Sequence, residues 1–236
     1  MKFAIVLSGC GVFDGAEIHE STMTMLAVEK NGAEYEMFAP NINQFHVINH
    51  LNGKTMDESR NVLVEAARIA RGNIKALSEY DQKNFDGIIF PGGFGVAKNL
   101  CSYAADGTDM RIDKVVAAAV KDTQTAGKPI GAICISPLMI ASLIPGIEVT
   151  LGTDQKYNTE IRNLRGKNKP MGARHIVIDK ENKVVTVPCY MNDSKISDIA
   201  EETDMLVKAM IGLKTVAGPE KSAGLRAQGK AKDNSK

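Results

Sequence analysis

The sequence predicts a doubly wound α/β fold: a mostly parallel sheet with helices on both faces and an added antiparallel hairpin. Three observations predict it. Short apolar runs, FAIVL (3–7), DGIIF (86–90) and IGAIC (130–134), lack the polar alternation of half-exposed strands and suit strands buried on both faces. Segments with apolar residues at helical spacing lie between such runs. Late in the chain, RHIVIDKENKVVTVP (174–188) carries two β-branched arms around Lys180-Glu181-Asn182, the pattern of a hairpin. Parallel strands need crossover connections, and those crossovers put helices on the sheet faces.

Taken in order, FAIVL is the first strand and a helix follows from about Glu17 to Asn31. AEYEMFAP (33–40) reads as a second strand, followed by a polar excursion, HVINHLNGKTM (46–56). From Ser59 to Ala70 a helix is marked by Val62, Leu63, Ala66 and Ile69. DGIIFPGG (86–93) is a strand that ends in a glycine pair. Ile112, Val115, Val116, Ala119 and Val120 form one helical stripe, which Gly127 and Pro129 stop. IGAIC is the next strand and a helix runs from Ser136 onward; EVTL (148–151) is a short strand before the hairpin. A final helix has Ile196, Ile199, Ala200, Leu206, Val207, Met210 and Ile211 on one face. These elements form one domain over 1–213.

Composition narrows the function classes. With 236 residues, 44% apolar and 24% charged, the chain has enough apolar residues for one sizeable core. A net charge of +1 offers no global basic field for nucleic acid. Residues 214–236 differ: six Lys/Arg face only Glu220 and Asp233, net +4, with almost nothing large to bury, so this basic tail reads as disordered. LSGC (7–10) resembles a lipoprotein cleavage site, but the apolar stretch before it is only Phe3–Leu7, short of the roughly 7–15 residues of a signal core. The apolar run around Cys134 is broken by Ser136, Pro137, Ser142 and Pro145 before it could span a bilayer. No membrane association is expected. The four cysteines, at 10, 101, 134 and 189, show neither C-x-x-C nor zinc spacing. The expectation is free thiols in a reducing, cytoplasmic setting, with no metal and no cofactor.

Ligands of doubly wound sheets bind beyond the carboxyl ends of the strands. Three such ends are unusual here: SGCGVFDGAEIHE (8–20), PGGFG (91–95) and CISP (134–137). The first invites a dinucleotide reading, but its third glycine is one residue late and the second strand ends in Phe38-Ala39-Pro40 without an acid for the ribose. In the third, Ser136 is a good N-cap and Pro137 a good first helical residue, so a helix starts directly after Cys134-Ile135. The sulfur then sits near a positive helix end, which favours thiolate. Cys134 is therefore a candidate nucleophile, against the alternative of a buried structural cysteine. Glu17 could supply its acid–base partner, or simply complement the helix dipole. Gly92 and Gly93 could supply backbone amides to an oxyanion, or form a plain turn.

Together these features resemble the ThiJ/PfpI superfamily, whose fold is that of the class I glutamine amidotransferases and is flavodoxin-like. LSGCGVFDGAEIHE, FAP, VINHLNG, ESRNVLVEAARIARG, PGGFGVAKNL and LGTD are similar to its ElbB glyoxalase branch, in order from about Met1 to Leu213. The resemblance implies Cys134 as nucleophile and Glu17 as its hydrogen-bonded acid, with Glu20 as the fallback. It implies Gly92 and Gly93 at the oxyanion turn, with Ile135 also at the substrate. Cys10, Glu20, Asn99, Thr153 and Asp154 are further candidates for lining the pocket. Many superfamily enzymes carry a histidine after the strand that follows the elbow helix; here the stretch is Thr150-Leu151-Gly152-Thr153-Asp154, and none of His19, His46, His50 or His175 falls in it. That disfavours an amidase or protease. The implied activity is a cofactor-independent conversion of small 2-oxoaldehydes to 2-hydroxy acids; the alternative is a redox sensor at Cys134. A small aldehyde and a second copy of the chain are the expected partners. Cys101 and Cys189 are taken as incidental.

Overall fold

The computed structural model describes residues 1–215. Eleven strands and seven α-helices appear among them, besides short 3₁₀ and π turns. The strands are β1 (Lys2–Val6), β2 (Glu34–Ala39), β3 (Ile48–Asn49), β4 (Lys54–Thr55), β5 (Ile74–Ala76), β6 (Gly87–Phe90), β7 (Ile130–Ile133), β8 (Glu148–Val149), β9 (Lys167–Asn168), β10 (Val177–Asp179) and β11 (Val184–Val187). The helices are α1 (Ile18–Lys30), α2 (Val62–Ile69), α3 (Tyr103–Asp106), α4 (Lys114–Thr125), α5 (Ser136–Leu143), α6 (Lys156–Asn163) and α7 (Ile196–Thr215). The main sheet has seven strands in the order β10-β11-β7-β6-β1-β2-β5, all parallel except β10. This is the doubly wound fold the alternating pattern predicts.

Its central strands are closed off on both faces. Every residue of β6, β7 and β11 is buried, which explains why their sequences run apolar without alternation. One face packs Phe38, Phe90, Ile130 and Leu138 with Val116 and Val120 of α4. The other packs Phe3, Ile5, Ile89 and Ile133 with Val28 of α1 and Leu206 of α7. Each fully buried Ile, Leu or Phe contributes roughly 1.5–3 kcal/mol of transfer free energy, so these two layers hold the sheet rigid under the loops. Gly131 in β7 lets α7 approach, because a Cβ there would stand 2.7 Å from Met210 Sδ and 2.9 Å from Leu206 Cδ2.

Five elements depart from the sequence reading. The arms of the expected hairpin do pair, Val177 opposite Thr186, but β11 also pairs in parallel with β7, Val184 opposite Ile130. Only β10 is the antiparallel addition, and the fully buried Val184–Val187 is a working member of the parallel sheet. EVTL does not enter that sheet: Glu148–Val149 pairs with Lys167–Asn168, and the Glu148 N–H is taken by Asp179 Oδ2 at 2.9 Å. The edge strand β5 has no periodic signal because it is three residues long with Lys75 turned outward, 2.5 Å from Glu36 Oε1 of β2. The polar excursion contains a small hairpin, β3 with β4. At the far end α7 runs through Thr215, two residues past the expected limit, and Lys214 pairs with Asp86. The rest of the basic tail lies outside the described residues. No helix among the described residues is long and apolar enough to cross a membrane.

Candidate active site

The strand order reverses between β1 and β6, and the three loops singled out by the sequence meet just beyond that point, with β7 beside them. The loop after β1 is knitted into itself and into the loop after β6. Gly11 N–H bonds Ala16 O at 2.9 Å and Gly15 N–H bonds Gly11 O at 2.7 Å. Across the gap, Phe94 N–H reaches Val12 O (2.8 Å), Gly95 N–H reaches Gly15 O (2.9 Å) and Glu17 N–H reaches Gly92 O (3.0 Å). These glycine amides are occupied by protein carbonyls, so the motif works as a structural clasp and not as a phosphate cradle. A Cβ on Gly15 would overlap Cys10 N, which is why the clasp needs glycine there.

Asn99 pins the same loop. Its Nδ2 donates to Ser8 O and Asp14 O, each at 2.9 Å, while its Oδ1 accepts from Phe45 N–H. It is a brace beneath the site, and the expectation that it lines the pocket is corrected.

Cys134 has φ +61°, the left-handed region that a non-glycine residue enters only when its surroundings hold it there. Its N–H bonds Val187 O of β11 at 3.0 Å. Ser136 is not the N-cap: it is the first residue of α5, Ile135 caps the helix, and Pro137 follows. The Ser136 hydroxyl donates instead to Pro91 O at 2.9 Å and ties the elbow to the glycine pair. Gly92 completes the fit, since a Cβ there would overlap Cys134 Cβ and stand 2.5 Å from Glu20 Oε2.

The acid on the sulfur is Glu20, and Glu17 is corrected to a neighbouring role. Glu17 is the N-cap of α1 and its Oε2 accepts from Glu20 N–H at 2.7 Å, so that oxygen is engaged with its own helix. One turn on, Glu20 points inward with no exposed surface, and its carboxyl lies against the Cys134 side chain beside Gly92. Its Oε2 accepts from Gly92 N–H at 3.0 Å and its Oε1 from Tyr190 N–H at 3.3 Å. Burial, followed by the nearby Glu17 charge, pushes its carboxyl up to about 8. Near neutrality Glu20 is therefore a buried carboxylic acid that can donate to sulfur.

The thiol is likewise held protonated. Burial and then the charge of Glu20 raise Cys134 well above the ordinary thiol value, overriding the helix-end effect expected from sequence. The Gly93 and Ile135 amides lie by the sulfur and oppose that rise. Gly93 and Ile135 are thus where the oxyanion turn was expected, while the Gly92 amide is committed to Glu20.

A cavity of about 270 Å³ opens onto this sulfur. Glu17, Gly93, Cys134 and Ile135 line its base. Its walls include residues the sequence reading missed: Tyr103, Lys156, Tyr157, Tyr190 and Met191. Thr153 and Asp154 do not line it; both are exposed at the entry to α6, where Thr153 N–H bonds Asn192 Oδ1 and Asp154 Oδ1 accepts from Lys156 N–H. Cys10 does not line it either. It is half-buried and its pKa is raised by burial and then by Glu65 of α2. Tyr190 and Met191 were legible in principle, because they follow the carboxyl end of β11; reading that strand as a hairpin arm hid a fourth strand end at the crevice. No group of His, Cys, Asp and Glu among the described residues is arranged to hold a metal ion.

The family profile described as DJ-1/PfpI matches residues 10–187. The rat protein "ES1 protein homolog, mitochondrial" is 42% identical over 222 residues, covering 90% of this chain and 84% of its own length. The human "Glutamine amidotransferase-like class 1 domain-containing protein 3, mitochondrial" is also 42% identical, with 90% and 83% covered. Among solved structures, an isoprenoid biosynthesis protein with an amidotransferase-like domain from Ehrlichia chaffeensis superposes with a TM-score of 0.85 at 33% identity, covering 90% of this chain and 99% of that one.

Proposed function

The chain belongs to the DJ-1/PfpI family, and on that premise we propose that it is a cofactor-independent glyoxalase acting on small 2-oxoaldehydes. The observation that carries the reading is the buried carboxyl of Glu20 on the sulfur of Cys134, at the base of a cavity that admits a small molecule. In this reading the Cys134 S–H adds across the aldehyde C=O: sulfur bonds C1 and the thiol proton passes to Glu20 or to the new oxygen. Gly93 and Ile135 amides stabilise the negative charge that develops during addition. The Glu17 carboxylate, which lines the cavity, then removes the C1 proton and returns it to C2 through an enediol. The resulting thioester is hydrolysed to the 2-hydroxy acid, which frees the thiol. No net oxidant or reductant is required.

Conversion of methylglyoxal to lactate without glutathione tests the reading. Turnover that disappears in Cys134→Ala supports it; turnover unchanged in that variant removes the mechanism. One observation also favours a second reading: a protonated carboxyl against sulfur can hold an oxidised sulfinate by a shared proton. A redox sensor would oxidise at Cys134 and show no turnover with any 2-oxoaldehyde.

A further inference from the structure

An enediol isomerisation moves two protons: one from carbon to carbon, and one from the C1 oxygen to the C2 oxygen. A carboxylate at the cavity base accounts for the first. The second needs a group that exchanges protons with the substrate oxygens, and the stretch where a histidine would have stood, 150–154, has no imidazole and puts no side chain in the cavity lining. The structure brings an imidazole in from elsewhere. His19, on the first turn of α1, has its Nδ1 2.8 Å from the hydroxyl of Tyr190, a residue 171 positions away that lines the cavity. The two rings lie with centroids 5.9 Å apart. Glu17 Oε1, also at the cavity, is 3.9 Å from the same nitrogen. Tyr190 is anchored on its other side, where its N–H bonds Glu20 Oε1. The imidazole is half-exposed, so the hydrogen-bonded pair runs from the cavity wall to solvent.

We propose that Tyr190 is a catalytic proton donor and acceptor to the substrate oxygens, and that His19 is its positioning and relay partner toward solvent. As the C1–H electron pair forms the C1=C2 bond, the Tyr190 O–H donates its proton to the C2 oxygen, and His19 replaces it from solvent. When C1=O re-forms in the thioester, the C1 hydroxyl proton leaves to Tyr190 and the excess proton exits through His19 Nδ1. Atoms and charge balance over the cycle. Burial and then the Glu17 charge hold Tyr190 above the ordinary phenol value, which suits a group that spends most of the cycle protonated. The relay rests on the glyoxalase reading of this cavity.

The test uses the full chain with methylglyoxal as probe. Tyr190→Phe removes only an oxygen and should lower kcat by about 10²-fold with KM within about twofold. His19→Ala should lower kcat similarly, and the double variant should fall little further, because the two residues act as one unit. The distinguishing readout is chemical rescue: imidazole in the medium should restore much of the His19→Ala rate and none of the double variant's. A merely structural role for His19 would not respond to imidazole. Equal kcat in wild type and Tyr190→Phe, with an unchanged melting temperature, overturns the relay and leaves the glyoxalase reading standing. No turnover in the wild type overturns both.

Discussion

Two buried thiol–carboxylate pairs stand one strand apart in this molecule. Cys134 leaves β7 at φ +61° and carries Glu20; Cys189 leaves the neighbouring β11 at φ +45° and carries Glu202. Both carboxyls are fully buried and each accepts two backbone N–H groups: Glu20 from Gly92 and Tyr190, Glu202 from Cys189 (2.6 Å) and Arg174 (2.8 Å). Both are raised, chiefly by burial. The difference lies on the sulfur. Cys134 touches a cavity and has the Gly93 and Ile135 amides beside it; Cys189 has no exposed surface and is not among the residues lining that cavity. On the proposed reading, a cysteine beside a glutamate is therefore not sufficient by itself. Access and spare backbone donors separate the two: Gly93 and Ile135 supply the donors, and the missing side chain at Gly92 leaves room for Cys134 and Glu20 to meet.

The largest expected contrast is between the two thiols themselves. Cys134→Ala should reduce turnover by about 10³-fold or more, the scale of losing a nucleophile, while Cys189→Ala stays within about threefold. Comparable losses in both variants would make the second pair part of the chemistry.

Next come the acids. In Glu20→Gln or Glu202→Gln the new NH₂ group must oppose a backbone N–H, at about 1–3 kcal/mol of stability in either case. Only Glu20→Gln should also lose activity, by about 10²-fold when compared at a temperature where both variants are folded. Gly92→Ala tests what makes the first pair accessible. Its Cβ would overlap Cys134 Cβ, so melting should report a loss of about 2 kcal/mol or more together with lost turnover.

The pH dependence separates the pairs more finely. Glu20 titrates near 8 in the folded protein, against an ordinary carboxyl value of 4.5. The native state thus binds more protons than the unfolded chain between those values, and its stability falls as pH rises through that window. This contribution is complete below 4.5 and gone above about 8. Relative to Glu20→Gln, the wild-type melting temperature should decline by several degrees from pH 5 to pH 8. Over the same range turnover should rise, because an ionised Glu20 can accept the thiol proton; activity flat from pH 6 to 9 would remove Glu20 as the base. The smallest expected effect is in mild peroxide. Mass spectrometry should find oxidation at Cys134, which meets the cavity, with Cys189 and Cys101, which are not among its lining residues, spared.

The sequence by itself determined the doubly wound fold, because fully buried strands and amphipathic helices have different periods that survive in composition. It also located the elbow: a cysteine between an apolar strand and a Ser-Pro helix start is a local pattern, as are the two glycine-rich loops. The tertiary structure alone decided which glutamate meets the sulfur. Glu17 and Glu20 are both acids at one helix start, and the choice turns on where the first turn begins and which side faces Gly92, a contact 72 residues away. It likewise decided that Val184–Val187 joins β7, which brought Tyr190 to the cavity and to His19. Periodicity records how a segment is buried. Which segments become neighbours is a long-range choice, made by packing that no short window of the chain contains.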